Sequence, residues 1–208
     1  FAWPHLRRDW KIIRRNSGLL TIIAAIGISA YTLIAYYSLQ YTEAINALLI
    51  ISTGPLLVAA VTFFMYGEKP TARQIIGVIA SLVGVTVVIA RGDPDVLLHL
   101  KLNKGDIWFF LAQIVYAFYT VLLRKRPAIH SLSFAFVLSA AGGLMLIPFV
   151  LAEVAAGQYP VWDGPALATL AYIMLLPSLV AYLFYNRGVE LLGPNRAAPF
   201  YHLIPIFG

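Results

Sequence analysis

Seven apolar stretches dominate the sequence, at about 18–39, 44–66, 73–90, 106–123, 131–152, 165–186 and 195–208, and their interiors hold no Asp, Glu, Lys or Arg. Each approaches the roughly 20 residues that an α-helix needs to cross about 30 Å of hydrocarbon. A soluble core has no use for that many long uncharged runs. Composition agrees: 61% of residues are hydrophobic and 12% are charged, against about 45–50% and about 25% in soluble domains. The runs lack the two-residue alternation of a membrane β-barrel, and only helices satisfy their backbone groups without water or a closed sheet. The expected fold is all-α, a polytopic membrane helix bundle of about seven spans.

Charge orients the bundle. Segments 1–17, 67–74, 124–130 and 187–196 carry Arg7, Arg8, Lys11, Arg14, Arg15, Lys69, Arg73, Arg124, Lys125, Arg126, Arg187 and Arg196. The alternate segments 40–43, 91–104 and 153–164 carry only Arg91, Lys101 and Lys104. Twelve against three, on alternate loops, puts the first set in the cytoplasm. The net charge of +6 is thereby assigned to topology, and nucleic acid is not expected. Trp10, Trp108 and Trp162 fall at expected span ends, where an aromatic belt belongs. No cysteine is present, which excludes disulfides and thiolate metal sites; no metal and no cofactor are expected. The last run stops short of a full span and the sequence opens without Met, so the chain reads as a fragment of a longer protein.

A shift of 150 residues lays 168–208 over 18–58, pairing Leu20 with Leu170, Ile23 with Ile173, Leu33 with Leu183, Ala47 with Ala197 and Pro55 with Pro205. Identities alone mean little between apolar sequences. The matched prolines and the matched polar loop mean more. Five spans separate the copies, an odd number, so the second copy is upside down. Loop 40–43 has no basic residue, while its counterpart 190–193 is flanked by Arg187 and Arg196. Inverted repeats with interrupted helices belong to transporters that alternate access around a mid-membrane site.

Several patterns carry a resemblance to a known family: Ala47 to Pro55 followed by Gly67-Glu68; Gln74-Ile-Ile-Gly77 with Gly84-Val85; Gly105-Asp106 through Ala117-Phe-Tyr-Thr-Val to Arg124-Lys-Arg; and Leu192-Gly193-Pro194-Asn-Arg196-Ala197 with Pro205. In order and spacing they resemble the EamA-type transporters of the drug/metabolite transporter superfamily. The resemblance implies ten helices in two five-helix repeats with both termini cytoplasmic. Residues 1–100 would then be the C-terminal part of the first repeat (about three spans) and 101–208 a truncated second repeat (about four spans). It also implies an exporter of small metabolites such as amino acids, working by alternating access in the bacterial inner membrane.

The candidate substrate-binding residues are polar groups inside spans. His202 is the one titratable side chain there; an imidazole in a cavity can bind substrate or carry a proton, or merely bond a neighbouring helix. Its repeat mate is Ser52, expected at similar depth on the opposite side of a pseudo-twofold axis. Asn46 either lines the path or caps its helix. Gln113, Tyr116 and Thr120 form a polar stripe with Ala117, and Ser178, Tyr182 and Asn186 form another. Thr32 is the repeat mate of Tyr182; Tyr31 and Tyr36 are weaker candidates. Pro55, Pro177 and Pro205 are candidate hinges. Glu68 is expected to pair locally with Lys69 or Arg73. Gly77, Ser81 and Gly84 form a small-residue packing face. The expected partners are the lipid bilayer and a small-molecule substrate, with a homodimer left open. Two other functions compete. A membrane-embedded enzyme lacks its usual signatures, since no Gly-x-Ser-Gly elbow, no His-Glu-x-x-His pair and no paired intramembrane aspartates occur. A non-transporting scaffold or receptor would need more loop than this chain has.

Overall fold

The computed structural model describes residues 3–90, 93, 95, 101–159 and 162–203. Among them the ordered elements are helical. α1 (Trp3–Arg15) precedes five helices long and apolar enough to cross a membrane: α2 (Ser17–Leu39), α3 (Ala44–Tyr66), α5 (Lys104–Lys125), α6 (Ser131–Ala155) and α7 (Gly164–Leu192). α4 (Ala72–Ile89) is apolar but shorter. The seventh expected span differs in its described part: one turn of α-helix, α8 (Pro194–Ala197), tightens into the 3-10 stretch Ala198–Leu203. Pro205, an expected hinge, lies outside the described residues.

Helix starts follow from capping. Thr71 with Gln74 and Asn103 with Asp106 form reciprocal capping boxes at α4 and α5, each satisfying two otherwise orphaned backbone donors. Asp163 accepts from Ala166 N at 2.8 Å at the start of α7, and His130 Nδ1 accepts from Leu132 N at 3.2 Å at the start of α6. α3 ends on Gly67 at φ 68°, a left-handed position that suits glycine.

The helices are inside-out by the standard of a soluble protein. Phe64, Leu144 and Phe184 are 83%, 65% and 75% exposed, while Ser29, Ser38, Ser52, Thr62, Gln113, Thr120 and His202 are buried. Large apolar side chains outside and hydrogen-bonded polar ones inside suit a lipid solvent, where apolar exposure carries no penalty and unpaired polar groups do. The chain is an integral, multi-pass membrane protein.

Two compact units are present: Phe1–Ser29 with Lys125–Gly188, and Ala30–Arg124 with Val189–Gly208. In the first, Leu6 and Ile13 of α1, Leu20, Ile23 and Ala24 of α2, and Phe134, Ala135 and Leu138 of α6 are buried. α2 and α6 meet so closely at Gly142 that a Cβ there would lie 2.6 Å from Ile28. Ser29 Oγ donates to the Gly142 carbonyl at 3.0 Å at the same crossing. In the second unit, Val58 and Val61 of α3 pack with Ala117 and Val121 of α5 and with Ala198. A second cluster joins Ala35, Ala47, Phe109 and Ala112.

α4 departs from expectation. Its buried side chains are Val78 and Val85. Of the small-residue face, Ser81 meets His202, and Gly77 and Gly84 have no described atom within 4 Å of where a Cβ would stand. Small residues permit close approach, but they do not supply the helix that approaches.

Candidate functional site

The site begins with a break in α3. Pro55 has no N–H to give the Ile51 carbonyl, and the hydrogen-bond ladder slips around it. Thr53 N bonds Ile50 O at 3.0 Å, and Leu56 N and Leu57 N both turn to Thr53 O, at 3.0 and 3.1 Å. The Ser52 carbonyl faces the buried imidazole of His202, 2.7 Å from Nε2, and Nδ1 stands 2.5 Å from Ser81 Oγ on α4. A carbonyl only accepts, so Nε2 carries a proton and donates it. In the neutral ring Nδ1 then accepts from the Ser81 hydroxyl.

An aromatic and amide group surrounds this bond. Tyr116 of α5 lies 4.7 Å from Tyr31 of α2, 5.3 Å from Tyr119 and 5.8 Å from Tyr201, ring centroid to centroid. Gln113 is buried and hydrogen-bonds the Tyr31 side chain. The Gln113 Oε1 lies 3.9 Å from the point where a Cβ on Gly54 would stand. Ser52 and Gly54, Ser81, and Gln113 and Tyr116 all sit near the midpoints of their helices. The arrangement is a hydrogen-bonding cluster at mid-span on an interrupted helix, with Ser52, Gln113 and His202 buried and Tyr31, Ser81, Tyr116 and Tyr201 half-buried.

α5 is fastened to the elements beside it at both ends. At its start Asp106 is buried. Its Oδ2 accepts from Asn103 N at 2.7 Å and Asn46 Nδ2 at 2.9 Å, and its Oδ1 accepts from the Thr42 hydroxyl. Asn46 Nδ2 also donates to the Lys101 carbonyl at 3.1 Å. Of the two readings of Asn46, helix capping is therefore wrong: Glu43 is the N-cap residue, and Asn46 ties α3 to the segment before α5. Asp106 itself was missed, although Asn-x-x-Asp ahead of an apolar run is a capping-box signature. Gly105 makes the approach possible; a Cβ there would lie 2.5 Å from Thr42 N and 2.7 Å from Ser38 O.

At the other end of α5, Arg124 grips Glu68 through two parallel bonds of 2.8 and 2.9 Å, with its guanidinium over the Tyr66 ring. Glu68 therefore pairs 56 residues away rather than with Lys69 or Arg73. Sequence neighbours at a helix end are near but need not point the same way, whereas a planar guanidinium matches a carboxylate bidentately. The Arg124 hydrogen bonds hold the Glu68 carboxyl below its usual range. A lowered folded-state value means that the bond's contribution is complete above the unfolded carboxylate range and is lost as pH falls through the folded value. The melting temperatures of the parent and of Glu68→Gln should thus differ slightly at neutral pH and converge under acid; a constant gap across pH would contradict this.

In the first unit Tyr182 donates its hydroxyl to the Gly27 carbonyl at 2.8 Å. Gly27 lies in a π-helical turn of α2, Ala25–Ala30, and α7 contains another, Leu176–Ala181, with Pro177 inside it. Wider turns of this kind relieve the clash of a proline ring with the preceding carbonyl and recur at functional sites.

The profile of the EamA-like transporter family matches residues 1–90 and 103–208. The chain belongs to this family. It is 25% identical over 198 residues to the uncharacterized transporter YyaM of Bacillus subtilis, covering 93% of this chain and 64% of that protein. It is 28% identical over 193 residues to an uncharacterized transporter of Archaeoglobus fulgidus, covering 90% and 64%. A third relative, named "Probable terminal-alkyne amino-acid exporter", comes from Streptantibioticus cattleyicolor; it is 26% identical over 195 residues, covering 92% and 62%. The chain thus spans under two thirds of the length of these relatives.

Within this EamA-like chain the expected site residues separate. Thr32, Asn46, Pro55, Gln113, Tyr116, Thr120 and His202 lie in the second unit, and Pro177, Ser178 and Tyr182 in the first. Gln113, Tyr116 and His202 join the mid-span cluster, with Thr120 fully buried one turn beyond Tyr116. Asn46 belongs to the latch at the start of α5, and Thr32 is half-buried on α2. Ser178 and Pro177 are exposed. The repeat mates Ser52 and His202 touch. Tyr31, a weaker candidate from the sequence, completes the cluster with Tyr201 and Ser81, and only shared depth in the spans could have suggested the last two.

Proposed function

We propose that the chain is part of a secondary transporter that exports a small polar metabolite, such as an amino acid, by alternating access in a bacterial inner membrane. The observation that carries this reading is the mid-span cluster around His202, built on the broken middle of α3. A buried polar group inside a membrane is costly and marks a substrate or ion path unless it is purely structural. A helix interrupted at the same depth supplies a free carbonyl and a place to bend. The cluster contains no acid and no base other than the imidazole, so it suits a neutral or zwitterionic solute.

The repeat supports the same reading. The two profile matches, 1–90 and 103–208, agree with parts of two repeats meeting near residue 100. The two π turns lie 151 positions apart at their starts, one residue from the 150-residue shift. Residues related by a twofold axis touch only beside that axis, and the Ser52–His202 contact favours a site near such an axis, where alternating access would have two repeats rock against each other. The family and its relatives' names favour transport over a membrane-embedded enzyme.

The full-length protein in proteoliposomes, screened with amino acids, nucleosides and amphiphilic cations, tests the proposal. At least one solute should move, and His202→Ala should slow it by about tenfold or more, as loss of a buried hydrogen-bonded contact at a binding site does. His202→Gln, which keeps a donor, should retain more activity. Transport by His202→Ala at the parental rate, with both proteins folded, would remove His202 from the site; a parent that moves none of the solutes would sink the transporter reading.

A further inference from the structure

We infer that α1 is an interfacial helix whose outward face binds the headgroups of anionic phospholipids. Leu6, Asp9 and Ile13 form its buried face, at i, i+3 and i+7. Around the helix from them, Trp3, Arg7, Trp10 and Arg14 recur at i, i+4, i+7 and i+11 and make one continuous stripe. Trp3 and Trp10 are 64% and 60% exposed. Arg7, Arg8, Lys11, Arg14 and Arg15 are all exposed too, and the Arg7 guanidinium lies 5.2 Å over the Trp3 ring.

One acid on the helix stands against these five cations, and it reaches only Arg8, whose Nε lies 3.9 Å from Asp9 Oδ1. Asp9, its one acid, is turned inward, and Oδ2 accepts from His130 N at 2.9 Å. Burial pushes its carboxyl up, but that backbone bond, with the cations nearby, outweighs burial and holds it low. Asp9 is thereby committed as an anion to fixing α1 on α6, and the stacking of His5 on His130 at 3.7 Å fixes the same junction.

Position then selects the partner. α1 ends at Arg15, and the first membrane-crossing helix opens at Ser17. Five cations cannot enter hydrocarbon, so α1 stands at headgroup level where that span leaves the bilayer. Exposed tryptophans are costly in water and favoured at that depth. A helix rich in Arg and Lys, with Trp beside its buried face, at the level of phosphate groups is complementary to an anionic leaflet. The segment also falls on the side that the loop charges make cytoplasmic.

Tryptophan quenching tests this on the full-length protein in nanodiscs that contain equal small fractions of brominated phosphatidylglycerol or brominated phosphatidylcholine. The contribution of α1 is the difference between the parent and Trp3→Phe/Trp10→Phe. It should be quenched preferentially by the brominated anionic lipid, by a factor on the order of fivefold at low salt, and the preference should shrink as salt rises. Arg7→Gln/Lys11→Gln/Arg14→Gln should bring the factor toward one. Equal quenching by the two lipids would overturn the assignment, as would a preference that survives the triple substitution. Abolition of the preference by millimolar inorganic phosphate would point to a soluble anion instead. Should a variant fold poorly, the salt titration of the parent decides alone: a salt-independent preference refutes the proposal.

Discussion

Asp106→Ala is expected to destabilise the protein by about 3–5 kcal/mol, the range for removing one partner from a buried charged network. The carboxylate is 5% exposed and holds three donors from three places: the Thr42 hydroxyl, the Asn46 amide and the Asn103 backbone. Alanine leaves each facing a void. Asparagine is informative because it keeps the shape. With its carbonyl oxygen turned to Asn103 N and Asn46 Nδ2, its amide can donate to the Thr42 oxygen, while the Thr42 hydrogen turns to the Glu43 carbonyl, 3.4 Å away. Asp106→Asn should therefore lose only charge assistance, about 1–2 kcal/mol. Denaturation of the purified protein in detergent measures both. An alanine variant as stable as the parent, or an asparagine variant as poor as alanine, would contradict the network.

This latch illustrates what a sequence of this kind discloses. Spans follow from missing charge, since one Lys or Arg at mid-membrane is costly enough to be avoided; the five long helices were legible on that ground alone. The burial of His202 was legible from its being the single ionisable group inside a run. What stayed hidden was contact between segments distant in the chain. Glu68 has cations one and five residues away, yet its partner is Arg124. Ser52 was picked out as the repeat mate of His202, and periodicity could not say that the two touch. Asp106 opens an expected span, and a composition window reports its charge but not its burial. Gly77 and Gly84 have no described neighbour within 4 Å of a Cβ; small residues on one face allow packing without naming the helix that packs. Gly105, outside any small-residue stripe, sits against backbone.

Gly105→Ala is the sharpest test of that last contrast. A Cβ at this position would stand 2.5 Å from Thr42 N, 2.7 Å from Ser38 O and 2.7 Å from the Tyr41 carbonyl carbon. All three are backbone atoms, so no rotamer change can make room. The start of α5 must back away from the α2–α3 turn, taking Asp106 off Thr42 and Asn46. Overpacking alone costs about 1–3 kcal/mol, and the latch is lost with it, so a loss of about 3 kcal/mol or more is expected for a single methyl group. Because the two changes break the same contacts, Gly105→Ala/Asp106→Ala should be clearly less damaging than the sum of the single variants, a coupling of the kind seen between residues in one network. Gly77→Ala is the control: its Cβ meets nothing within 4 Å, and its stability should stay within about 0.5 kcal/mol of the parent. If Gly105→Ala melts with the parent, the turn is not held against α5; if the double variant is fully additive, Gly105 and Asp106 act separately and the glycine is not what brings the carboxylate to its donors.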